Sequence, residues 1–109
     1  MAVREALEQV KQKMNDDPKG IEGVSKTYQF DLSGEEEGTI QITFKEGTVD
    51  FFDEIKEEPV CTLSLSDENF LKLINGGLNP TMAFMSGKLK IKGELGHALK
   101  LQSILSKYQ

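Results

Sequence analysis

Two side chains suited to nucleophilic or acid–base work near neutral pH occur once each in this 109-residue chain, Cys61 and His97. A cysteine thiol beside an imidazole could supply a nucleophile and its base. Cys61, however, falls in an alternating segment with Leu63 and Leu65 on the same parity. A free cysteine in that setting behaves as a small hydrophobe, and no third group is in view to orient the base. With one cysteine, neither an intrachain disulfide nor a multi-cysteine metal site can form. The acidic stretches Glu35-Glu36-Glu37 and Asp53, Glu54, Glu57, Glu58 lack the spaced oxygen ligands and obligatory glycine of a calcium loop. They read as solvated turns. The glycine pairs match no phosphate-binding fingerprint. The expectation is a non-enzymatic domain without a cofactor.

Composition narrows the field further. Hydrophobic residues make up 38% and charged residues 28%, a soluble globular profile, and the length fits a single domain over 1–109. The net charge of −5 argues against nucleic acid, which requires Lys and Arg to displace counterions from phosphates. Arg4, Glu5 and Glu8 interrupt any apolar leader, no segment is long enough to span a bilayer, and Lys107-Tyr108-Gln109 is not a peroxisomal tripeptide. A cytoplasmic location is the resulting expectation.

The elements that must position any site follow from periodicity. Val3, Ala6, Leu7, Val10 and Met14 recur at helical spacing and stop before the breaker cluster Asn15-Asp16-Asp17-Pro18. Strict alternation then sets Tyr28, Phe30 and Leu32 on one face and Thr27, Gln29 and Asp31 on the other. Ile40, Ile42 and Phe44 repeat the pattern, and Glu46-Gly47 signals a tight turn into Thr48 to Asp53. Together these predict an antiparallel meander with one apolar face and one wet face. A fourth strand covers Val60 to Leu65. Ser66 caps a helix carrying Phe70, Leu71, Leu73 and Ile74, which Asn75-Gly76-Gly77 ends. Asn79-Pro80 opens a short helix closed by Gly87. Lys88 to Lys92 alternates as a strand, pointing Leu89 and Ile91 inward, and after Gly93 a last helix runs to the C-terminus. Helices gathered on one side of a sheet make the class α+β.

Two helices carry more apolar surface than a packed core requires. In Pro80 to Ser86, Met82 and Met85 share a face while Phe84 projects away from them, the mark of a helix buried between two surfaces. In the last helix, Leu95, Ala98, Leu99, Leu101, Ile104, Leu105 and Tyr108 cover roughly 220° of the wheel, against the roughly 100° a surface helix needs. The excess could face further protein, a partner subunit or a ligand cavity. Gln102, inside that arc, is either a satisfied amide or a group meeting a ligand head. Lys88, Lys90 and Lys92 form a basic stripe that guards a sheet edge or makes transient contact with an anionic membrane surface.

From Pro59 onward the chain resembles the sterol carrier protein type 2 family, the nonspecific lipid-transfer proteins. The likeness rests on Cys61-Thr62-Leu63 leading into Ser66-Asp67-Glu68-Asn69-Phe70, on Leu78-Asn79-Pro80, on the unbroken block Ala83 to Gly93, and on Ala98 to Gln102. It implies a five-stranded, mainly antiparallel sheet with helices on one face, enclosing an apolar tunnel. Its lining would include Phe51 and Leu65 from the sheet and Phe70, Leu73 and Ile74 from the helix after it. Leu78, Met82, Phe84 and Met85 would follow, then Leu99, Gln102 and Leu105 from the last helix. The implied ligand is a fatty acid, fatty acyl-CoA, phospholipid or sterol, with fatty acid or acyl-CoA favoured over sterol, bound by a monomer. Relatives commonly carry a lysine just before the Leu/Met-Asn-Pro motif, where this chain has Gly77. Two other readings keep the same surfaces: an interaction module without a cavity, and an accessory domain that presents acyl substrates to an enzyme.

Overall fold

The computed structural model describes residues 2–109. Helix α1 (Ala2–Asp16) buries Val3, Leu7 and Met14. It runs two residues further than the breaker cluster suggests, because Asn15 is used twice. Its side-chain amide donates to the Val49 carbonyl at 3.2 Å and accepts the Val49 N–H at 3.0 Å. A short 3-10 turn at Pro18–Ile21 leads into the sheet.

Strands β1 (Lys26–Ser33), β2 (Gly38–Lys45) and β3 (Thr48–Phe52) form the expected meander. Tyr28 pairs with Ile42 between the first two, and Lys45 pairs with Thr48 across the last turn. That turn places Glu46 at φ 51° and Gly47 at φ 77°, the left-handed pair that a two-residue hairpin following the twist of its strands demands. β3 is an edge strand, and the Asn15 amide occupies part of its otherwise bare backbone.

Strand β4 (Cys61–Ser66) lies parallel to β1, with Tyr28 opposite Cys61, and β5 (Lys90–Gly93) pairs antiparallel with β4. The sheet order is β3-β2-β1-β4-β5, so three of its four pairings are antiparallel. The chain must therefore travel from one edge past two strands to reach β1's free side, and it does so across the face away from the helices. The alternation predicts a wet face there. Instead Gln41 is fully buried beneath that crossover, and Thr27 is buried beside it, donating its hydroxyl to Glu57 Oε2 at 2.7 Å.

Helices α2 (Asp67–Asn75), α3 (Pro80–Met85) and α4 (Leu95–Ser106) complete the helical side. The Ser66 hydroxyl accepts the Asn69 N–H at 3.1 Å, and Gly76 at φ 89° ends α2 as a left-handed cap. Asn79 Oδ1 accepts from the N–H groups of Thr81 and Met82, with Pro80 in the first helical position. Phe70 sets α2 on the sheet by meeting Phe30 edge-on, 4.9 Å between ring centroids.

Candidate functional site

The site begins with an apolar seam between the inner face of the sheet and the helices. Leu7, Val10 and Met14 come from α1, where 3.6-residue spacing puts them in one row. Phe30, Ile42, Phe44, Val49 and Phe51 come from the first three strands, whose alternation turns them all inward. Phe70, Leu73 and Ile74 of α2 and Leu101 and Leu105 of α4 close the other side. The open space between these walls is ≈ 20 Å³, room for about one water molecule and far short of an alkyl chain. A tunnel is therefore an expectation that this conformation does not display; the seam is nearly filled by its own side chains.

Among the described residues one charged side chain lies along this seam, Lys11, placed by α1 one position beyond Val10. Its ammonium donates to Asp50 Oδ1 at 2.9 Å and stands 5.8 Å from the centroid of the Phe51 ring. The hydrogen bond raises the Lys11 pKa and holds the Asp50 carboxyl below its ordinary value. Arg4 stands over the same ring at 6.0 Å and pairs with Asp53. Phe51 thus lies near two cations where α1 packs on β3.

Of the residues expected to meet a ligand, Phe51, Phe70, Leu73, Ile74 and Leu105 come together in the seam. Leu65 is buried at a different place, beside a shallow groove with Leu32 and Asn69. Leu78 and Gln102 are half-buried. Met82, Phe84, Met85 and Leu99 are exposed, by 69%, 44%, 80% and 40%. Helix α3 is inverted: it buries Pro80 and Ala83 and turns its three large apolar side chains outward. It is packed on one surface, not between two. What sequence reasoning leaves out is the contribution of α1. Its signal is the Val3–Leu7–Val10–Met14 row, which reads as ordinary core until the opposing strands are in place.

Cys61 is buried, and burial pushes its thiol pKa up, away from the reactive thiolate. The His97 carbonyl accepts the Tyr28 hydroxyl at 3.0 Å, a structural use of its backbone. Among the described residues no cluster of His, Cys, Asp or Glu could hold a metal, and no helix is long and apolar enough to cross a membrane.

A carbon-walled seam between a helical layer and one face of a mixed sheet defines an α+β domain whose candidate site is apolar. The chain belongs to the SCP-2 sterol transfer family, whose model matches residues 5–106. It is 39% identical over 107 residues to hydroxysteroid dehydrogenase-like protein 2 of Bos taurus, covering 96% of this chain and 25% of that one. The chain thus spans about a quarter of the length of that relative. Among solved structures it is similar to sterol carrier protein domain 2 of Helicoverpa armigera, with a TM-score of 0.77 and 34% identity over 96% of this chain and 85% of that one. It also shares the fold of palmitated SCP2L2 from Aedes aegypti, with a TM-score of 0.69 and 22% identity over 92% and 90% of the two chains.

Proposed function

We propose that this chain binds one long-chain lipid in the seam between α1, α2, α4 and the sheet, and carries it through water. The observation that carries this reading is a seam lined by apolar side chains from three helices and the sheet, with the half-buried Lys11 beside them. The palmitated state of the Aedes aegypti relative supports it. Because so little of the seam is open, a ligand enters only as the helices move off the sheet. A chain of about sixteen methylenes offers roughly 12 kcal/mol of burial against that movement and the lost freedom of the ligand. An extended acyl chain requires less separation of the helices from the sheet than a rigid ring system, so fatty acid or acyl-CoA is favoured over sterol. The Lys11 ammonium at the mouth is placed to meet an anionic head group.

The reading extends to a monomer working in the cytoplasm, where the buried Cys61 thiol stays reduced. A second reading draws on the relative's length. As one part of a longer dehydrogenase-like protein, the same fold would hold an acyl substrate for a neighbouring enzyme domain. Native mass spectrometry of gently purified protein, followed by titration with a fluorescent polyene fatty acid, tests binding. Co-purifying lipid and saturable, displaceable uptake are expected. A bare monomer mass, with no uptake and no thermal stabilisation by fatty acid or acyl-CoA, would sink the proposal.

A further inference from the structure

Another cavity lies beside the seam. It separates the first two turns of α1 from the start of β2 and the end of β3, with ≈ 260 Å³ of open space against ≈ 20 Å³ in the seam. Val3, Leu7 and Ile40, all buried, give it an apolar base together with Phe51, while Arg4, Glu37 and Asp53 around it are exposed. Leu7 and Phe51 line both spaces. They differ in freedom. Leu7 is buried on a helix, where the preceding turn restricts its rotamers. Phe51 is half-buried on an edge strand, one residue before its end, and a neighbouring strand flanks it on one side, through Ile42. Its ring lies 6.0 Å from the Arg4 guanidinium and 5.8 Å from the Lys11 ammonium. Both cations are also paired with carboxylates, Asp53 and Asp50, and cation–ring contacts at exposed sites are weak. The ring can therefore turn while both ion pairs stay in place.

We infer that this cavity is the entry site for the tail of a single-chain acyl lipid, and that Phe51 is the partition the tail displaces to reach the seam. The inference rests on the lipid-carrier reading and adds to it the place where loading starts. Filling the seam requires the helices to leave the sheet, and beside Val3 and Leu7 the two layers already stand apart. The apolar base receives the methyl end of the chain there and takes it out of water before the rest of the seam opens. A change of Phe51 between staggered rotamers then joins the two spaces. Charge sets the direction of travel. Glu36, Glu37 and Asp53 outnumber Arg4 around the cavity, so an anionic head is not held there, whereas Lys11 along the seam attracts it. The tail leads and the head comes to rest toward Lys11.

Stopped-flow uptake of a fluorescent polyene fatty acid by the full chain separates a partition from a plain wall. Deleting a wall contact speeds dissociation alone, whereas removing a partition speeds association as well. Phe51→Ala is expected to raise the association rate about tenfold, and Phe51→Trp to lower it about threefold or more, with thermal unfolding confirming that each variant is folded. Glu37→Trp adds bulk at the exposed rim and should slow association about threefold relative to Glu37→Gln, which makes the same change of charge without the bulk. An association rate for folded Phe51→Ala at or below the wild-type value, with lipid still bound, overturns the inference. If Phe51→Ala does not fold, the Glu37 pair decides, and equal association rates for Glu37→Trp and Glu37→Gln overturn it. A wild type that takes up no fatty acid sinks the carrier reading and this inference with it; uptake at rates indifferent to these substitutions sinks this inference alone.

Discussion

Gln41 and Glu57 are joined through both ends of the Gln41 amide. Gln41 Oε1 accepts the Glu57 N–H at 3.1 Å, while its Nε2 donates to the Glu57 carbonyl at 2.8 Å. The Lys56 N–H at 2.9 Å and Gln29 Oε1 at 3.0 Å take the two remaining positions, so this fully buried amide is satisfied in full. One side chain thereby fastens the β3–β4 crossover to the back of the sheet. Gln41→Leu keeps the volume but strands three backbone groups, and should cost about 2–4 kcal/mol in urea unfolding. A cost under about 0.5 kcal/mol would mean that the crossover is held by other contacts.

Val10 is half-buried and lines the seam one residue before its only lysine. Val10→Trp should block the mouth from the solvent side, lowering fatty-acid affinity by about tenfold or more while shifting the melting temperature little. A parallel fall in both quantities would show ordinary core packing at this position.

Lys11 should act on the head group and leave the tail unaffected. Lys11→Met is expected to weaken a free fatty acid by about threefold and to leave its methyl ester unchanged, the modest size reflecting a solvent-exposed cation. Displacement titrations with the two ligands make the comparison. An equal loss for acid and ester would assign Lys11 a packing role.

Tyr28 gives the protein a defined weakness in alkali. Burial, with a smaller contribution from Cys61 nearby, pushes its phenol up to about 12 from an ordinary 10.0. The unfolded chain therefore releases this proton first, and folded stability falls as pH rises from about 10 until the folded phenol itself ionises. The slope in that window should approach about 1.4 kcal/mol per pH unit. Urea unfolding at stepped pH should show it, and Tyr28→Phe should flatten it despite losing the bond to the His97 carbonyl. A wild type with no alkaline slope would contradict the assignment.

Tyr108 and Gly20 are coupled across the helical layer. The Tyr108 hydroxyl donates to the Asp17 carbonyl at 2.6 Å and accepts the Gly20 N–H at 3.0 Å. A Cβ built on Gly20 would lie 2.6 Å from that hydroxyl. Gly20→Ala should therefore destabilise by about 1–2 kcal/mol in the wild type and by nearly nothing in a Tyr108→Ala background. Additive losses in the double-mutant cycle would remove the coupling.

Much of this architecture is legible in the residues themselves. Alternation at Tyr28, Phe30 and Leu32, the Glu46-Gly47 turn and the caps at Ser66 and Asn79 are local signals, and local physics honours each of them. The parallel docking of β4 on β1 is not local. Both strands read the same way whether they pair parallel or antiparallel. The burial of Gln41 and Thr27 follows from that topology, so their polarity suggests water where the chain supplies a cover. Within the site, part of α4 is identifiable by its excess of apolar surface, while α2 is placed there only by the family resemblance. Helix α3 misleads because apolarity all round a helix does not say which side is buried. Small Pro80 and Ala83 fit closely against the body and leave the larger groups outside.

The central position of β1 has a consequence for synthesis. Its hairpin partner β2 emerges within a few residues, yet its other neighbour is not made until Cys61–Ser66. A nascent chain stalled before that point displays Tyr28, Phe30 and Leu32 on a strand with one bare margin, the kind of template that recruits other unfinished chains. Delivery of β4 covers that margin, so β1 gains its second neighbour only once the crossover is made.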